Sequence, residues 1–227
     1  MKRIISAIIA LFMVALTLSA QKKVVVEHSY SGFSSVETGE SFQLSFIQSD
    51  EYKIRIISDP VIENYILAYA KDGVLYLNVD LKAMPSDVRK NFKSGDHILS
   101  LPQVEIYAPT VSSISISGDS VIDSDHMFTV KDLTLTVTGR GYVRNMKVKA
   151  DSFLLDLGNR AYAYMDIVAD SFNLQCRNNS HAELKIDAGR LMVSGSSFAV
   201  AELYGTADSI SISAEGNSKI TIDSSKE

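Results

Sequence analysis

The sequence predicts an all-β fold, a parallel β-helix-like solenoid, from a fixed repeat and from the strand-like alternation inside it. The motif Ala-Asp-Ser-Phe at Ala150 recurs at Ala169, and related motifs begin at Ala188 and Ala207, so each copy starts 19 residues after the last. A fixed period near 20 residues is typical of stacked coils. Apolar and polar residues alternate within each copy, as in β-strands with one buried and one solvated face.

Each repeat contains two short predicted strands joined by a turn. Phe153 aligns with Phe172, and Leu155 with Leu174, so the apolar positions of successive copies fall in shared columns. Gly and Asn accept positive φ at little cost and favour turns between the strands. The pattern continues upstream with a period nearer 20, which predicts roughly six coils of 19–20 residues between residues 110 and 223. The turns of the last repeats are placed at residues 158–160, 177–179, 194–196 and 215–217.

Two arrangements of these strands are compatible with the turns: a solenoid of parallel coils and an antiparallel meander with two hairpins per repeat. Parallel neighbours need a crossover connection of about a dozen residues or more, and one coil supplies it. Matched columns also touch in a solenoid, whereas another strand separates them in a meander. We therefore expect a solenoid, and we expect its coils to be right-handed.

The N-terminal half alternates in the same way but lacks the clean period. Residues 21–109 are therefore predicted to form an irregular, β-rich cap that shields the edge of the first regular coil. Residues 85–92 are expected to form a short helix within it. No linker or change of composition interrupts the chain. We predict one domain over residues 21–227, in which residues 110–223 form the regular coils.

The first residues have the features of a secretory signal peptide. Lys2 and Arg3 precede an apolar run from Ile4 to Leu18, and small residues follow it, which is the order found in export signals. The run is shorter than the about 20 residues that a membrane-spanning helix needs, which argues against a membrane anchor. We assign residues 1–20 to the signal peptide and expect no transmembrane segment after its removal.

Composition and charge exclude several classes of partner and chemistry. The chain has a formal net charge of −5 and no basic stripe, so we do not expect it to bind nucleic acid. Its single cysteine, Cys176, falls in an inward column, where we expect a buried hydrophobic role and no intramolecular disulfide. No His-x-x-x-His pair, paired cysteines, Gly-x-Ser-x-Gly motif or phosphate-binding glycine loop occurs. We therefore assign no catalytic, metal-binding or cofactor-binding residues.

The outward face of the second strand provides the candidate binding surface. Tyrosine rings stack on sugar faces and carboxylates accept sugar hydroxyls, so a flat wall of such residues predicts glycan binding. The alternative is a solvated sheet face, on which cross-strand pairs contribute roughly 0.2–1 kcal/mol each. The six candidate residues of this wall are Tyr162, Tyr164, His181, Glu183, Glu202 and Tyr204.

Two further groups of charged residues have alternative interpretations. An enzyme of the polysaccharide lyase or hydrolase type needs an acid and a base on opposite sides of one bond, and a calcium site needs oxygen ligands at short spacing. The residues of the first type are Asp156, Asp166 and Asp170 with Lys147, Lys149 and Lys185. The residues of the second type are Asp119, Asp123, Asp125 and His126. Their spacing matches no calcium-loop motif, which favours a solvated acidic loop.

Five segments of the chain show a resemblance to a known family. They are YSGFSSV at 30–36, FQLSFIQ at 42–48, DGVLYL at 72–77, VEIYAP at 104–109 and ISISGD at 114–119. In these segments, and over nearly the whole chain after residue 20, the sequence resembles the auto-transporter adhesin head GIN domain family, a DUF2807-type domain. The resemblance implies a β-helix-like fold and a setting in the Gram-negative cell envelope, and it implies no catalytic residues.

The repeat, the export signal and the wall together predict an exported, non-catalytic binding or adhesion module of the cell envelope. We expect it in the periplasm or at the cell surface, with a glycan or a cell-surface protein as its partner. One alternative is a carbohydrate-active enzyme on the same scaffold. A second alternative is a structural envelope protein that associates with itself.

Overall fold

The fold is built almost entirely from β-strands in the computed structural model, which describes residues 23–39, 41–93 and 99–225. The predicted signal peptide, residues 1–20, lies outside the described residues. A short helix, α1 (Ser86–Lys93), forms close to its predicted position. The strands up to residue 123 are β1 (Val24–Ser29), β2 (Ser35–Thr38), β3 (Gln43–Gln48), β4 (Lys53–Ser58), β5 (Ile66–Lys71), β6 (Val74–Val79), β7 (Gln103–Ala108), β8 (Ser113–Ile116) and β9 (Val121–Asp123).

The C-terminal half consists of strands that stack in parallel. They are β10 (Met127–Val137), β11 (Tyr142–Leu157), β12 (Tyr162–Cys176), β13 (His181–Gly195), β14 (Val200–Ala214) and β15 (Lys219–Asp223). Each pairs in parallel with the next one along the chain. The predicted solenoid is therefore confirmed, and the antiparallel meander is excluded for these coils. The hand of the coils stays a prediction.

The register between neighbouring coils follows the 19-residue repeat of the sequence. Phe153 pairs with Phe172, Phe172 with Leu191, and Leu191 with Ile210. The rings of Phe153 and Phe172 stack with their centroids 5.3 Å apart and their planes 22° from parallel. The predicted apolar columns are therefore core columns, in which each side chain packs on its equivalent in the next coil.

One residue in the left-handed region lies at the same place in the turn of each coil, with φ between 60° and 74°. These residues are Gly118, Gly139, Asn159, Asn178, Ser197 and Gly216. The turn predicted at 194–196 is wrong, because the structure centres it on Ser197 and places Gly195 opposite Cys176 in the last position of β13. A Cβ on Gly195 would lie 3.2 Å from the Ser218 Cβ, so packing rather than the turn explains this glycine.

Each long strand bends at the column of small residues instead of ending there. The sequence predicts two short strands per repeat, but β12 continues without a break through Ala169. Ala169 pairs with Ala150 and Ala188, whereas the ladder skips the next residue, Asp170. A Cβ on Gly189, which lies beside Asp170 in the next coil, would be 2.8 Å from the Asp170 carbonyl oxygen. The strand therefore turns a tight corner at this column.

The corner divides each coil into two walls. Their inward residues meet in one continuous hydrophobic core. The tyrosine wall consists of the segments before the corner, residues 127–130, 142–149, 162–168, 181–187, 200–206 and 219–223. The serine wall consists of the segments after the corner, residues 133–137, 152–157, 171–176, 190–195 and 209–214.

The N-terminal strands continue both walls within one sheet. The tyrosine wall extends through β9, β3 and β7, which pair in parallel, and then through β4 and β1, which pair antiparallel. The serine wall extends through the parallel strands β8, β2 and β6 and ends at the antiparallel strand β5. The half predicted as an irregular cap thus contains parallel strands of the solenoid, with antiparallel strands at its outer edges.

The single cysteine lies in the core, as predicted. Cys176 shares an inward column with Leu157 and Gly195 and is buried. Burial raises the pKa of its thiol to about 12. The reactive form of a cysteine is the thiolate, which is therefore almost absent at neutral pH in the folded chain.

Candidate functional site

Three outward columns of the tyrosine wall contain the candidate residues, and neighbouring members of each column are separated by the strand spacing of about 4.8 Å. The first column contains Tyr142, Tyr162, His181, Val200 and Lys219. The second column contains Tyr164, Glu183, Glu202 and Thr221. The third column contains Lys147, Asp166, Lys185, Tyr204 and Asp223. The six residues that the sequence singles out therefore lie together on one face.

The first column is an aromatic stack. The ring centroids of Tyr142 and Tyr162 lie 4.9 Å apart, and those of Tyr162 and His181 lie 4.8 Å apart with the planes 5° from parallel. Tyr142 and His181 belong to the coils on either side of Tyr162. Both faces of the Tyr162 ring are therefore in contact with protein, and the ring has no free face on which a sugar could stack.

The second column places two carboxylates side by side. Glu183 and Glu202 are partners on adjacent strands, an arrangement in which like charges repel. The hydroxyl of Tyr162 donates a hydrogen bond to Glu183 Oε2 at 3.0 Å, and that of Tyr204 donates to Glu202 Oε2 at 3.3 Å. These bonds offset part of the repulsion and orient both carboxylates. An ionised carboxyl group accepts several hydrogen bonds, so each can also bind hydroxyl groups from outside the protein.

The two tyrosines of these hydrogen bonds have raised pKa values. Burial raises the pKa of Tyr162 to about 12, and the hydrogen bond to Glu183 and the charge of that carboxylate add to the effect. The pKa of Tyr204 is raised by loss of hydration and by the charge of Glu202 and the hydrogen bond to it. A phenolate beside a carboxylate is unfavourable, so both hydroxyls remain donors at neutral pH.

Two other tyrosine rings of the wall are accessible. Tyr164 is 41% exposed and begins the second column, beside Glu183. Tyr204 lines a shallow groove of about 310 Å³ together with Asp166 and Lys185. Tyr164 and Tyr204 are two coils apart along the axis and two residues apart along the strand. Ideal strand geometry separates them by about 10 Å and about 7 Å in these directions, with Glu183 and Glu202 on the path between them.

A glycine, Gly205, lines the groove beside Tyr204. Gly205 occupies the position that Ile167 and Ile186 occupy in the two preceding coils. Its φ is 124°, and a Cβ there would collide with the carbonyl oxygen of Ile186. Sequence reasoning missed this groove. The signal was the replacement of isoleucine by glycine at one place in an otherwise apolar column.

The structure does not bring the enzyme-like group together. Asp156 lies on the serine wall, where Arg177 Nη2 donates to its Oδ2 at 2.6 Å. Asp166 lies on the tyrosine wall between Lys147 and Lys185 of the neighbouring coils. The remaining members, Asp170 and Lys149, line a different groove at the corner.

In the acidic loop that resembles a calcium site, arginine side chains pair with the carboxylates. Two of its carboxylates form ion pairs with arginines of the next coil at 2.6 Å, and these pairs are Asp119–Arg140 and Asp123–Arg144. For the other two predicted residues, His126 Nε2 lies 3.7 Å from Asp125 Oδ1. Within the described parts of the chain, no three His, Cys, Asp or Glu side chains are grouped so as to hold a metal ion.

A further concave surface, the corner groove, has a volume of about 340 Å³. It contains carboxylates and an ammonium group but no aromatic ring, so it lacks a platform for sugar stacking. Its charged residues are Lys149, Asp151, Asp170, Asp187 and Asp208. The tyrosine wall is therefore the better candidate for recognition of a saccharide.

The family of the chain follows from a match over residues 32–166, which is more than half of the sequence. The matching family model is described as "Putative auto-transporter adhesin, head GIN domain". The chain belongs to this head GIN domain family. The match is shorter than the resemblance in the sequence suggests. It includes Tyr162 and Tyr164 and ends before His181, so the later wall residues lie beyond it.

Three solved structures share the fold of this head GIN chain at low sequence identity. A putative adhesin from Bacteroides fragilis NCTC 9343 has a TM-score of 0.58 at 16% identity, covering 89% of this chain and 98% of its own. A putative adhesin from Parabacteroides merdae ATCC 43184 has a TM-score of 0.54 at 13% identity, with 89% and 97% covered. A putative lipid binding protein from Parabacteroides distasonis ATCC 8503 has a TM-score of 0.52 at 12% identity, with 89% and 97% covered. At these identities the likeness shows the fold alone.

No curated protein matches the sequence. Among the residues that the structure describes, no helix has the length and apolar character needed to cross a membrane.

Proposed function

We propose that this protein is an exported, non-catalytic adhesion module of the cell envelope that binds glycans on the tyrosine wall. The observation that supports this proposal most directly is the pairing of accessible rings with oriented carboxylates. Tyr164 and Tyr204 supply ring faces, and Glu183 and Glu202 supply acceptors whose positions are fixed by tyrosine hydroxyls. Rings that stack on sugars and carboxylates that accept sugar hydroxyls are the two components of such recognition.

The six wall residues have four roles in this proposal. Tyr164 and Tyr204 contact sugar rings, and Glu183 and Glu202 accept hydroxyl groups. Tyr162 does not touch the ligand, because its ring is covered by Tyr142 and His181. It acts as a positioning residue that holds Glu183, and His181 supports it by stacking.

The location of the protein is part of the same proposal. Residues 1–20 act as a cleaved export signal, and the family description as an adhesin supports a position at the cell surface or in the periplasm of a Gram-negative cell. Fractionation of expressing cells, with the N-terminus read by mass spectrometry, tests this step. Processed chain beginning near Gln21 in the envelope supports the proposal, and unprocessed chain in the cytoplasm contradicts it.

A glycan array tests the binding function. The chain from Gln21 contains all described elements and is applied to the array, and each hit is rechecked for product release by mass spectrometry. We expect saturable binding that Tyr164→Ala and Tyr204→Ala each weaken at least about tenfold, since one aromatic contact contributes about 1 kcal/mol beyond its buried area. Tyr69→Ala is the matched control, because Tyr69 is also exposed but lies on β5 at the other end of the molecule.

Two outcomes would contradict the proposal. Released product would show that the wall belongs to a carbohydrate-active enzyme, and attention would move to Asp166 and Lys185 in the groove. Binding that survives both wall substitutions but is lost with Tyr69→Ala would place the ligand elsewhere.

A further inference from the structure

The C-terminal end of the solenoid differs from its middle because its core columns are open. Ile210 and Ile212 are 49% and 51% exposed, whereas Leu191 and Val193, their partners in the preceding coil, are buried. All residues from 208 to 217 are exposed. The last coil therefore presents apolar side chains to the outside in the positions where other coils bury them.

Both walls also end in a strand with one open edge at this end. Within the described residues, β15 pairs only with β14, and the part of β14 after Tyr204 pairs only with β13. The backbone groups on the outer side of these segments have no sheet partner in the described chain. Residues 209–213 of this edge read Ser-Ile-Ser-Ile-Ser. They contain no charge and no proline, two devices that commonly prevent edges from pairing.

The two edge segments are self-complementary in sequence. Residues 209–213 read the same in both directions around Ser211, and residues 219–223 read Lys-Ile-Thr-Ile-Asp around Thr221. A strand that pairs antiparallel with its own copy around a central residue places each position opposite its mirror position. Pairing around Thr221 therefore sets Lys219 opposite Asp223 of the copy, twice, and sets Ile220 opposite Ile222.

From this complementarity we propose that the C-terminal end is a dimer interface, at which two copies of the chain meet tail to tail about a two-fold axis. The β15 strands pair antiparallel across the axis, so the tyrosine walls of both copies join into one sheet. The serine-wall edges of both copies point toward this interface, but β15 lengthens the tyrosine wall alone, so these edges stay about 10 Å or more apart and the isoleucines of the open columns border the space between them. Lys219 and Asp223 form two symmetric ion pairs across it.

The charges at this end favour a second copy over other occupants. Both members of the ion pair lie on outward positions of the same short strand, so each copy brings the complement of the other. Asp223 already accepts hydrogen bonds from Ser225 through Oδ1, and a carboxylate accepts further donors in addition. A head-to-tail arrangement would not close and would produce filaments instead of dimers.

Charge reversal with mixing tests this proposal. The mass of the chain from Gln21 is measured by light scattering over a range of concentrations. Lys219→Asp places two carboxylates opposite each other, and Asp223→Lys places two ammonium groups opposite each other, so we expect each variant to weaken dimerisation at least about tenfold. An equal mixture of the two variants restores both ion pairs and should form a mixed dimer. The double variant Lys219→Asp/Asp223→Lys should dimerise like the parent.

Controls separate this interface from general effects of charge and folding. Lys185→Asp makes the same charge change in the middle of the tyrosine wall and should leave dimerisation unchanged. A normal β-sheet circular dichroism spectrum identifies folded variants, and recovery in the mixture shows that single variants are intact.

Four results would overturn the proposal. The first is a parent chain that stays monomeric up to about 1 mM, because so weak an affinity has no structural consequence. The second is a pair of single variants that dimerise as the parent does. The third is a mixture that remains monomeric, and the fourth is growth into filaments, which indicates head-to-tail stacking.

Discussion

At the scale of single residues, the turn column shows how backbone geometry selects residue type. Five of its six positions are Gly or Asn, and Ser197 is the sixth, with φ at 63°. Serine in the left-handed region costs roughly 1–2 kcal/mol relative to ordinary backbone, and glycine does not pay this penalty. Ser197 therefore marks a strained turn in an otherwise relaxed column.

Ser197→Gly should raise the free energy of unfolding by about 0.5–1 kcal/mol, because strain is removed and only part of the gain is lost to greater freedom of the unfolded chain. Urea denaturation followed by circular dichroism measures the change. Ser196→Gly is the control, because Ser196 is not among the residues with positive φ. Its free energy of unfolding should be lower than that of the parent by about 0.5 kcal/mol. Equal losses in both variants would show that the strain argument is wrong.

The Tyr162 hydroxyl provides a second prediction at this scale. Its pKa of about 12 lies above the value near 10 of an unfolded tyrosine, so its contribution to stability is complete below about pH 10 and is lost as the pH rises toward 12. The difference in phenolate absorbance between the parent and Tyr162→Phe should therefore reach only about a tenth of its full value at about pH 11 in the folded state.

In denaturant the same difference should titrate near pH 10, which is the internal control for Tyr162. A phenolate signal from Tyr162 at pH 10 in the folded chain would contradict the environment described for it. That result would also mean that the Tyr162 hydroxyl does not hold Glu183 in place by its hydrogen bond.

At the scale of elements, the strands were the most predictable feature and their ends the least. The columns that contain Phe153 and Phe172 follow directly from period-two alternation repeated every 19 residues. The turn at Ser197 was misplaced because Gly195 is a stronger local turn signal than serine. Only the pairing of Gly195 with Cys176 shows that this glycine belongs to β13.

The core columns predict a contrast between coils. Phe172→Ala should lower the free energy of unfolding by about 3–5 kcal/mol, because the side chain is fully buried and stacked on Phe153. Ile212→Ala should cost less than about 1 kcal/mol, because half of that side chain is already exposed. Both are measured by denaturation in the Lys219→Asp background, so that dimerisation does not contribute. Similar costs would mean that the last coil is covered in solution.

At the scale of the whole molecule, the solenoid is a one-dimensional stack in which each coil contacts only its neighbours. Stability in such stacks is approximately a sum of coil and interface terms, and coils at an open end fray first. At the N-terminal end the inward residues of β5 are partly buried, whereas at the C-terminal end Ile210 and Ile212 are about half exposed. The two ends should therefore differ in stability.

Amide hydrogen exchange should show this difference as a gradient along the chain. Peptides from β12 and β13 should exchange slowest, and peptides covering residues 208–223 should exchange much faster in the monomeric Lys219→Asp variant. In the parent, protection of residues 219–223 should increase with protein concentration. Uniform protection at all concentrations in both proteins would contradict both the frayed end and the dimer.

The candidate site shows where prediction from sequence stops. The repeat places Tyr162, Tyr164 and Glu183 on one outward face, because alternation fixes the direction of each side chain. It does not reveal that Tyr162 is covered by its neighbours while Tyr164 is accessible. Exposure of a ring depends on the side-chain packing in three adjacent coils, which alternation alone does not specify.

The sequence by itself determined the fold class, the coil length and the inward columns, because each follows from local periodicity that repeats along the chain. Only the tertiary structure decided three further points: the left-handed position at Ser197, the groove at Gly205 and the open columns at Ile210 and Ile212. Each depends on residues in adjacent coils, which lie about 19 positions away in the sequence and are not specified by the local pattern. The stacking of coils turns local periodicity into walls, and the walls create the candidate sites.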